Sequence, residues 1–299
     1  MNTHKFRGLG VAIVTPFKED KKIDYLALQT VVNNVIAGGV DYLVVHGSTG
    51  EAITLSDQEK RHSLDFILEV NNGRVPIVIG FGTSSSMGTV GALSKFDMRG
   101  IDGLLISSPS YCKPNQEGIY KHFEMIANAT DLPIILYNVP SRTASNMTSE
   151  TTLKLAKDFD NIVAIKEASG DMLQIIEIIQ NRTDGFAVIS GDDEIIIPLV
   201  ASGGDGVISV MANAFPESMK EITYSALKGE LKVSREIQNG LKKMTEFAFE
   251  QGNPAGIKEI LNQNDVCKPY LRLPLTRVSE ELQLSIKNEI SSFDRIKSN

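Results

Sequence analysis

Eight short runs rich in Val, Ile and Leu recur along the chain: GVAIVTPF from Gly10, DYLVVHG from Asp41, PIVIGFG from Pro76, GLLISSP from Gly103, PIILYNVP from Pro133, IVAIKEA from Ile162, FAVISGD from Phe186 and GVISV from Gly206. They are spaced about 20 to 35 residues apart, the length of a strand–helix–strand unit. The runs are continuous rather than alternating, as expected of parallel strands covered on both faces. The segments between them are amphipathic. SDQEKRHSLDFILEVNNG carries Ser56 at an N-cap position, Glu59 three residues on and Gly73 as a stop, which predicts a helix opened by a capping box. TSETTLKLAKDF predicts a second helix, opening at Thr148 or Ser149. Eight such repeats without a break in composition predict an α/β fold of the (β/α)8 TIM-barrel type. A doubly wound open sheet fits less well, since it has fewer strands and a glycine fingerprint after the first, and no GxGxxG follows residues 11–17. From Glu217 onward the sequence is helical and charged, and too long for one barrel helix. The expected organisation is a catalytic barrel over residues 1–225 and a small C-terminal helical extension over 226–299.

Composition narrows the function classes. Of 299 residues 42% are hydrophobic and 22% charged, ample for a large core in a soluble chain. A net charge of -7 and the lack of a dense Lys/Arg run argue against a nucleic-acid or anionic-membrane surface. Cys112 and Cys267 match no metal or redox spacing and point to a reducing compartment. The opening residues lack the apolar stretch of a signal peptide, and no segment approaches a membrane span, so a cytoplasmic protein is expected.

Lys166 is the most informative single residue, because it sits inside the apolar run IVAIKEA. Lysine is rarely buried unless paired or chemically used. Taking an ammonium out of water disfavours its charged form, and a free amine on a rigid strand is the nucleophile that condenses with a carbonyl to give a Schiff base. Snorkelling to solvent, or pairing with Glu167, is the competing reading. Other polar residues collect at strand ends, where such barrels build their active sites. After the second strand, Gly47-Ser48-Thr49-Gly50-Glu51 frees backbone N–H groups that suit a carboxylate or phosphate, or forms an ordinary turn. After the fourth comes Tyr111, in a loop held by Pro109 and Pro114. The fifth carries Tyr137, either core or proton donor, followed by Arg142, whose fork of donors suits a carboxylate. The seventh ends in Gly191-Asp192-Asp193-Glu194. His4, His46, His62 and His122 are scattered without ligand spacing, so no metal is expected, and Asp192 and Asp193 are expected to cap the next helix. Taken jointly, a strand lysine, a tyrosine one strand earlier, an arginine on its loop and an amide-rich turn converge on one end of one barrel.

GSTGE, YNVPSRT, IKEASGD, SGDD and GVISV, in this order and spacing, resemble the dihydrodipicolinate synthase family, within the pyruvate-dependent class I aldolase superfamily that includes the N-acetylneuraminate lyases. The resemblance runs from about residue 10 to 274. It implies a lyase that uses neither cofactor nor metal, and a barrel with a small C-terminal helical domain. It further implies that Lys166 forms a Schiff base with pyruvate, whose enamine attacks L-aspartate 4-semialdehyde; cyclisation then gives the first intermediate towards diaminopimelate and lysine. Tyr137 would be the general acid/base, in a relay with Ser48 and with Tyr111 reaching in from a neighbouring subunit of a homotetramer. The amides of Ser48 and Thr49 would hold the pyruvate carboxylate, and Arg142 would receive that of the second substrate. Gly191 and Ile208 would line the pocket through their backbones. Many synthases have Thr-Thr where this chain has Ser48-Thr49, and GSTGE is the usual form in the lyases; Arg142 favours the synthase. A sister lyase or a non-catalytic barrel are the alternatives, the latter opposed by the intact set Lys166, Tyr137, Ser48, Tyr111 and Arg142. Where lysine-inhibited members carry a glutamate, a tyrosine and a histidine, this chain has Gly88, Ser110 and Lys60, which implies weak or absent inhibition by lysine.

Overall fold

Each apolar run supplies one strand of a closed parallel barrel in the computed structural model, which describes residues 5–297. His4 and the last two residues of the expected C-terminal unit lie outside the described residues. The first half runs β1 (Gly8–Ala12), α1 (Tyr25–Ala37), β2 (Tyr42–Val45), α2 (Asp57–Asn71), β3 (Ile77–Gly80), α3 (Ser86–Leu93), β4 (Gly103–Ser107) and α4 (Gln116–Ala127). The second half continues with β5 (Ile134–Asn138), the single turn α5 (Pro140–Thr143), α6 (Ser149–Asp158), β6 (Ile162–Glu167), α7 (Met172–Asn181), β7 (Ala187–Ser190), α8 (Ile196–Ala201) and β8 (Gly206–Ser209). α9 (Pro216–Leu227), α10 (Leu231–Glu250), α11 (Ala255–Gln263) and α12 (Glu280–Lys297) complete the chain. α9 runs across residue 225, the expected end of the barrel.

The expected caps form where short polar side chains meet free helix amides. Ser56 Oγ accepts from the Glu59 amide at 3.2 Å while Glu59 Oε2 accepts from the Ser56 amide at 2.9 Å. Thr148 caps α6 through the Thr151 amide. Two expectations change. β1 starts at Gly8, two residues before its apolar run, because Gly8 and Gly206 let β1 and β8 approach closely: a Cβ on Gly206 would lie 2.0 Å from the Gly8 carbonyl oxygen. Asp192 and Asp193 do not cap α8, whose N-cap is Ile195 without a side-chain bond. Asp193 instead accepts from the Val210 and Met211 amides at 3.0 and 3.1 Å, tying the loop after β7 to the chain leaving β8. Asp192 accepts from the Glu194 amide at 2.9 Å. A longer-range demand outranked the local cap.

Strand alternation sorts side chains into two cores. Outward residues such as Ile165 and Leu136 pack under the helices. Inward ones, among them Ala12, Val44, Leu105, Ile135, Ala164, Ile189 and Ile208, fill the barrel, with Tyr137 packed against them. Lys166 lies two residues beyond Ala164, so the same alternation turns it inward near the C-terminal end of β6.

Candidate active site

A cavity of about 620 Å³ opens at the C-terminal mouth of the barrel, bounded by strand-end residues and by Thr245, Phe249 and Glu250 of α10. Lys166 is 5% exposed and reaches its wall. Parallel pairing of β5 with β6 sets Tyr137 opposite Lys166, and the lysine Nζ lies 4.5 Å from the centroid of the tyrosine ring. Neither competing reading of the lysine survives. Glu167 faces outward, where its carboxylate accepts from Asn138 Nδ2 at 2.9 Å, Gln174 Nε2 at 3.0 Å and the Ser169 amide at 3.1 Å. Burial pushes the Glu167 carboxyl above its ordinary value, against those hydrogen bonds. Lys166 forms no ion pair among the described residues.

Gly191 makes room for the amine. A Cβ there would sit 2.7 Å from Ala168 Cβ and 3.0 Å from Lys166 Cε. The Gly191 amide is fixed by the Glu167 carbonyl at 2.7 Å. Ile208, by contrast, lies within the barrel interior and not on the cavity wall.

The turn after β2 brings Ser48 and Thr49 to the cavity. It folds on itself, with the Gly50 amide bonded to the Gly47 carbonyl and the Glu51 amide to the Ser48 carbonyl, each at 3.1 Å. The amides of Ser48 and Thr49 meet no acceptor among the described residues, so two adjacent N–H donors remain for an anion. Thr49 is buried and its Oγ1 accepts from Asn253 Nδ2 at 2.9 Å. Arg142, on α5, is exposed at the mouth and donates through Nη2 to the Asn253 carbonyl at 3.3 Å.

Tyr111 is not in this cavity. It is 95% exposed, with φ of 70°, on the loop between β4 and α4. Gly88 lies in α3, the Ser110 hydroxyl bonds Ser84 Oγ at 2.8 Å, and Lys60 stands 3.9 Å from Asp57. Among the described residues no group of three His, Cys, Asp or Glu side chains is placed to hold a metal, and no helix is long and apolar enough to cross a membrane.

Three supporting residues were not found from sequence: His46, Asn253 and Lys258. His46 leaves β2 with φ of 58° and bonds Ser63 Oγ at 2.9 Å; burial, then the charges of Lys60 and Arg61, lower its pKa to about 4. An isolated histidine at the end of an apolar run was the available signal. Asn253 and Lys258 lie more than 200 positions from Thr49 and Glu51, the residues they hold at that turn, and gave none.

The sequence profile of the dihydrodipicolinate synthetase family matches residues 5–293. The chain belongs to that family. The 4-hydroxy-tetrahydrodipicolinate synthase of Flavobacterium psychrophilum is 47% identical over 93% of this chain and 94% of its own. The dihydrodipicolinate synthase of Aquifex aeolicus superposes with a TM-score of 0.93 at 36% identity, covering 97% of this chain and 98% of that one. The chloride-inhibited dihydrodipicolinate synthase of Acinetobacter baumannii, solved with pyruvate, gives 0.92 at 35% identity over 96% of this chain and 99% of that one. Membership of the dihydrodipicolinate synthetase family makes the chain a lyase on a TIM barrel.

Proposed function

We propose that this chain is a 4-hydroxy-tetrahydrodipicolinate synthase, condensing pyruvate with L-aspartate 4-semialdehyde in the route to diaminopimelate and lysine. The observation that carries the reading is Lys166, buried on the inner face of β6 beside Tyr137 at the mouth of the barrel. The Lys166 amine adds to the pyruvate carbonyl and water leaves, giving the imine. Loss of a methyl proton gives the enamine, whose carbon adds to the aldehyde; cyclisation onto the former carbonyl carbon releases the lysine. Each stage moves protons near one carbon, and Tyr137, whose ring centre lies 4.5 Å from the amine, would supply the hydroxyl for them. Ser48 continues that relay. A hydroxyl chain suits a pocket where a lone charged base would be costly.

The free amides of Ser48 and Thr49 suit the pyruvate carboxylate. Arg142, exposed at the mouth, suits the carboxylate of the second substrate. Gly191 gives Lys166 its space, and Ile208 supports the wall from beneath through β8. Tyr111 completes the relay from a neighbouring subunit of a homotetramer built from tight dimers, which fits an aromatic ring left 95% exposed on its own chain. No cofactor is needed, and the cytoplasm is the proposed compartment.

Serine in GSTGE is the feature that favours a sialic acid lyase. It keeps the hydroxyl while losing the β-branch that restricts a threonine rotamer. Arg142, suited to the carboxylate of a small acceptor, favours the synthase. A coupled assay with pyruvate and aspartate semialdehyde, run beside one with N-acetylneuraminate, tests this: turnover of the first alone is expected, and turnover of the second alone would overturn it.

A further inference from the structure

Lys258 and Glu51 form an ion pair in which neither side chain is exposed at all. The pair joins α11 to the residue that immediately follows the GSTG turn, across 207 positions of sequence. Glu51 occupies the left-handed region, with φ of 52°, a conformation that a glutamate adopts only when its surroundings hold it there. Its second carboxylate oxygen accepts from the Arg272 amide at 3.0 Å. Lys258 also donates to the Tyr270 carbonyl at 2.9 Å and stands 4.3 Å from the centre of the Phe17 ring. Both oxygens of the acid and two protons of the amine are therefore committed. The segment leading into α11 adds a second tie, from Asn253 Nδ2 to the Thr49 hydroxyl.

An ion pair taken wholly out of water is a poor source of stability, since a well-packed apolar pair of similar volume is often as stable. What the pair supplies is direction. It fixes the end of a two-amide turn that has no acceptor of its own. We infer that Glu51 and Lys258 are positioning residues, which hold the Ser48 and Thr49 N–H groups at the pyruvate carboxylate and so make pyruvate binding depend on the C-terminal helices. The inference rests on the assignment of that turn to pyruvate.

The test compares Glu51→Gln and the apolar double variant Glu51→Leu/Lys258→Met with the parent chain. Folding is followed by circular dichroism, and steady-state kinetics vary each substrate in turn. In Glu51→Gln, KM for pyruvate is expected to rise about tenfold or more while KM for aspartate semialdehyde stays within about twofold. The double variant restores packing without direction, so it should melt near the parent yet keep the raised pyruvate KM. It decides the matter if Glu51→Gln does not fold. A folded variant with both KM values unchanged and only kcat lowered would overturn the inference, because a purely structural pair changes the active fraction and not the affinity. A double variant that cannot fold would likewise overturn it, since stability would then be what the pair supplies. Borohydride trapping of pyruvate on the parent separates the two levels: no adduct on Lys166 counts against the underlying reading, whereas a normal adduct with unchanged variant KM values counts against the positioning role alone.

Discussion

At the scale of single residues, the proposed function gives Lys166 and Arg142 different acids to recognise. Lys166 is sunk in the barrel, where the proposed imine would select the keto acid, whereas Arg142 stays at the mouth. Arg142→Ala should therefore weaken aspartate semialdehyde far more than pyruvate. Loss of a charged hydrogen-bond partner costs about 1.5 to 3 kcal/mol, roughly 10- to 150-fold in the KM of that substrate. Equal rises in both KM values would mean that Arg142 acts by supporting Asn253. A different residue-scale effect concerns His122, whose pKa burial lowers to about 4. An unfolded histidine takes up its proton near pH 6.5, so between about pH 6.5 and 4 the unfolded chain binds a proton that the folded chain refuses. This contribution to stability is present above that window and is lost as pH falls through it. Thermal unfolding across this range should show a shallower pH dependence in His122→Gln than in the parent; an unchanged slope would mean that His122 is already charged in the fold.

At the scale of elements, the site depends on three strand ends meeting. β6 presents the amine, β5 sets the tyrosine opposite it, and the chain leaving β7 must pass without a side chain. Gly191→Ala should give a folded chain with kcat lowered at least about tenfold, because the new methyl would press on Ala168 Cβ at 2.7 Å and on Lys166 Cε at 3.0 Å. Near-parent kcat from steady-state assay would show that the lysine has another route to the substrate. Much of this level was legible in the sequence. The eight apolar runs name their strands, and Ser56 with Glu59 names the start of α2, since both signals are local. The start of β1 was not legible, because Gly8 pairs by lacking a side chain rather than by being apolar. Asp193 looks like a helix cap in the sequence because nothing nearby announces the Val210 and Met211 amides. Lys258 looks like any helical lysine until Glu51 is set against it.

At the scale of the whole molecule, the barrel supplies the chemistry and the C-terminal helices close and brace its mouth. α10 lines the cavity, and α11 reaches the turn after β2 through Lys258. The proposed relay needs a second chain, since Tyr111 stands outside the cavity of its own. Sedimentation of the active enzyme should give a tetramer, and Tyr111→Phe should lower kcat with the tetramer intact. A fully active monomer would remove that role.

The central claim is that Lys166 carries pyruvate as an imine, and one measurement tests it directly. The chain is incubated with pyruvate, reduced with borohydride, digested and examined by mass spectrometry. The expected result is the mass of a reduced pyruvyl group on the peptide containing Lys166, absent when pyruvate is omitted. No adduct, or an adduct on a different lysine, would contradict the account.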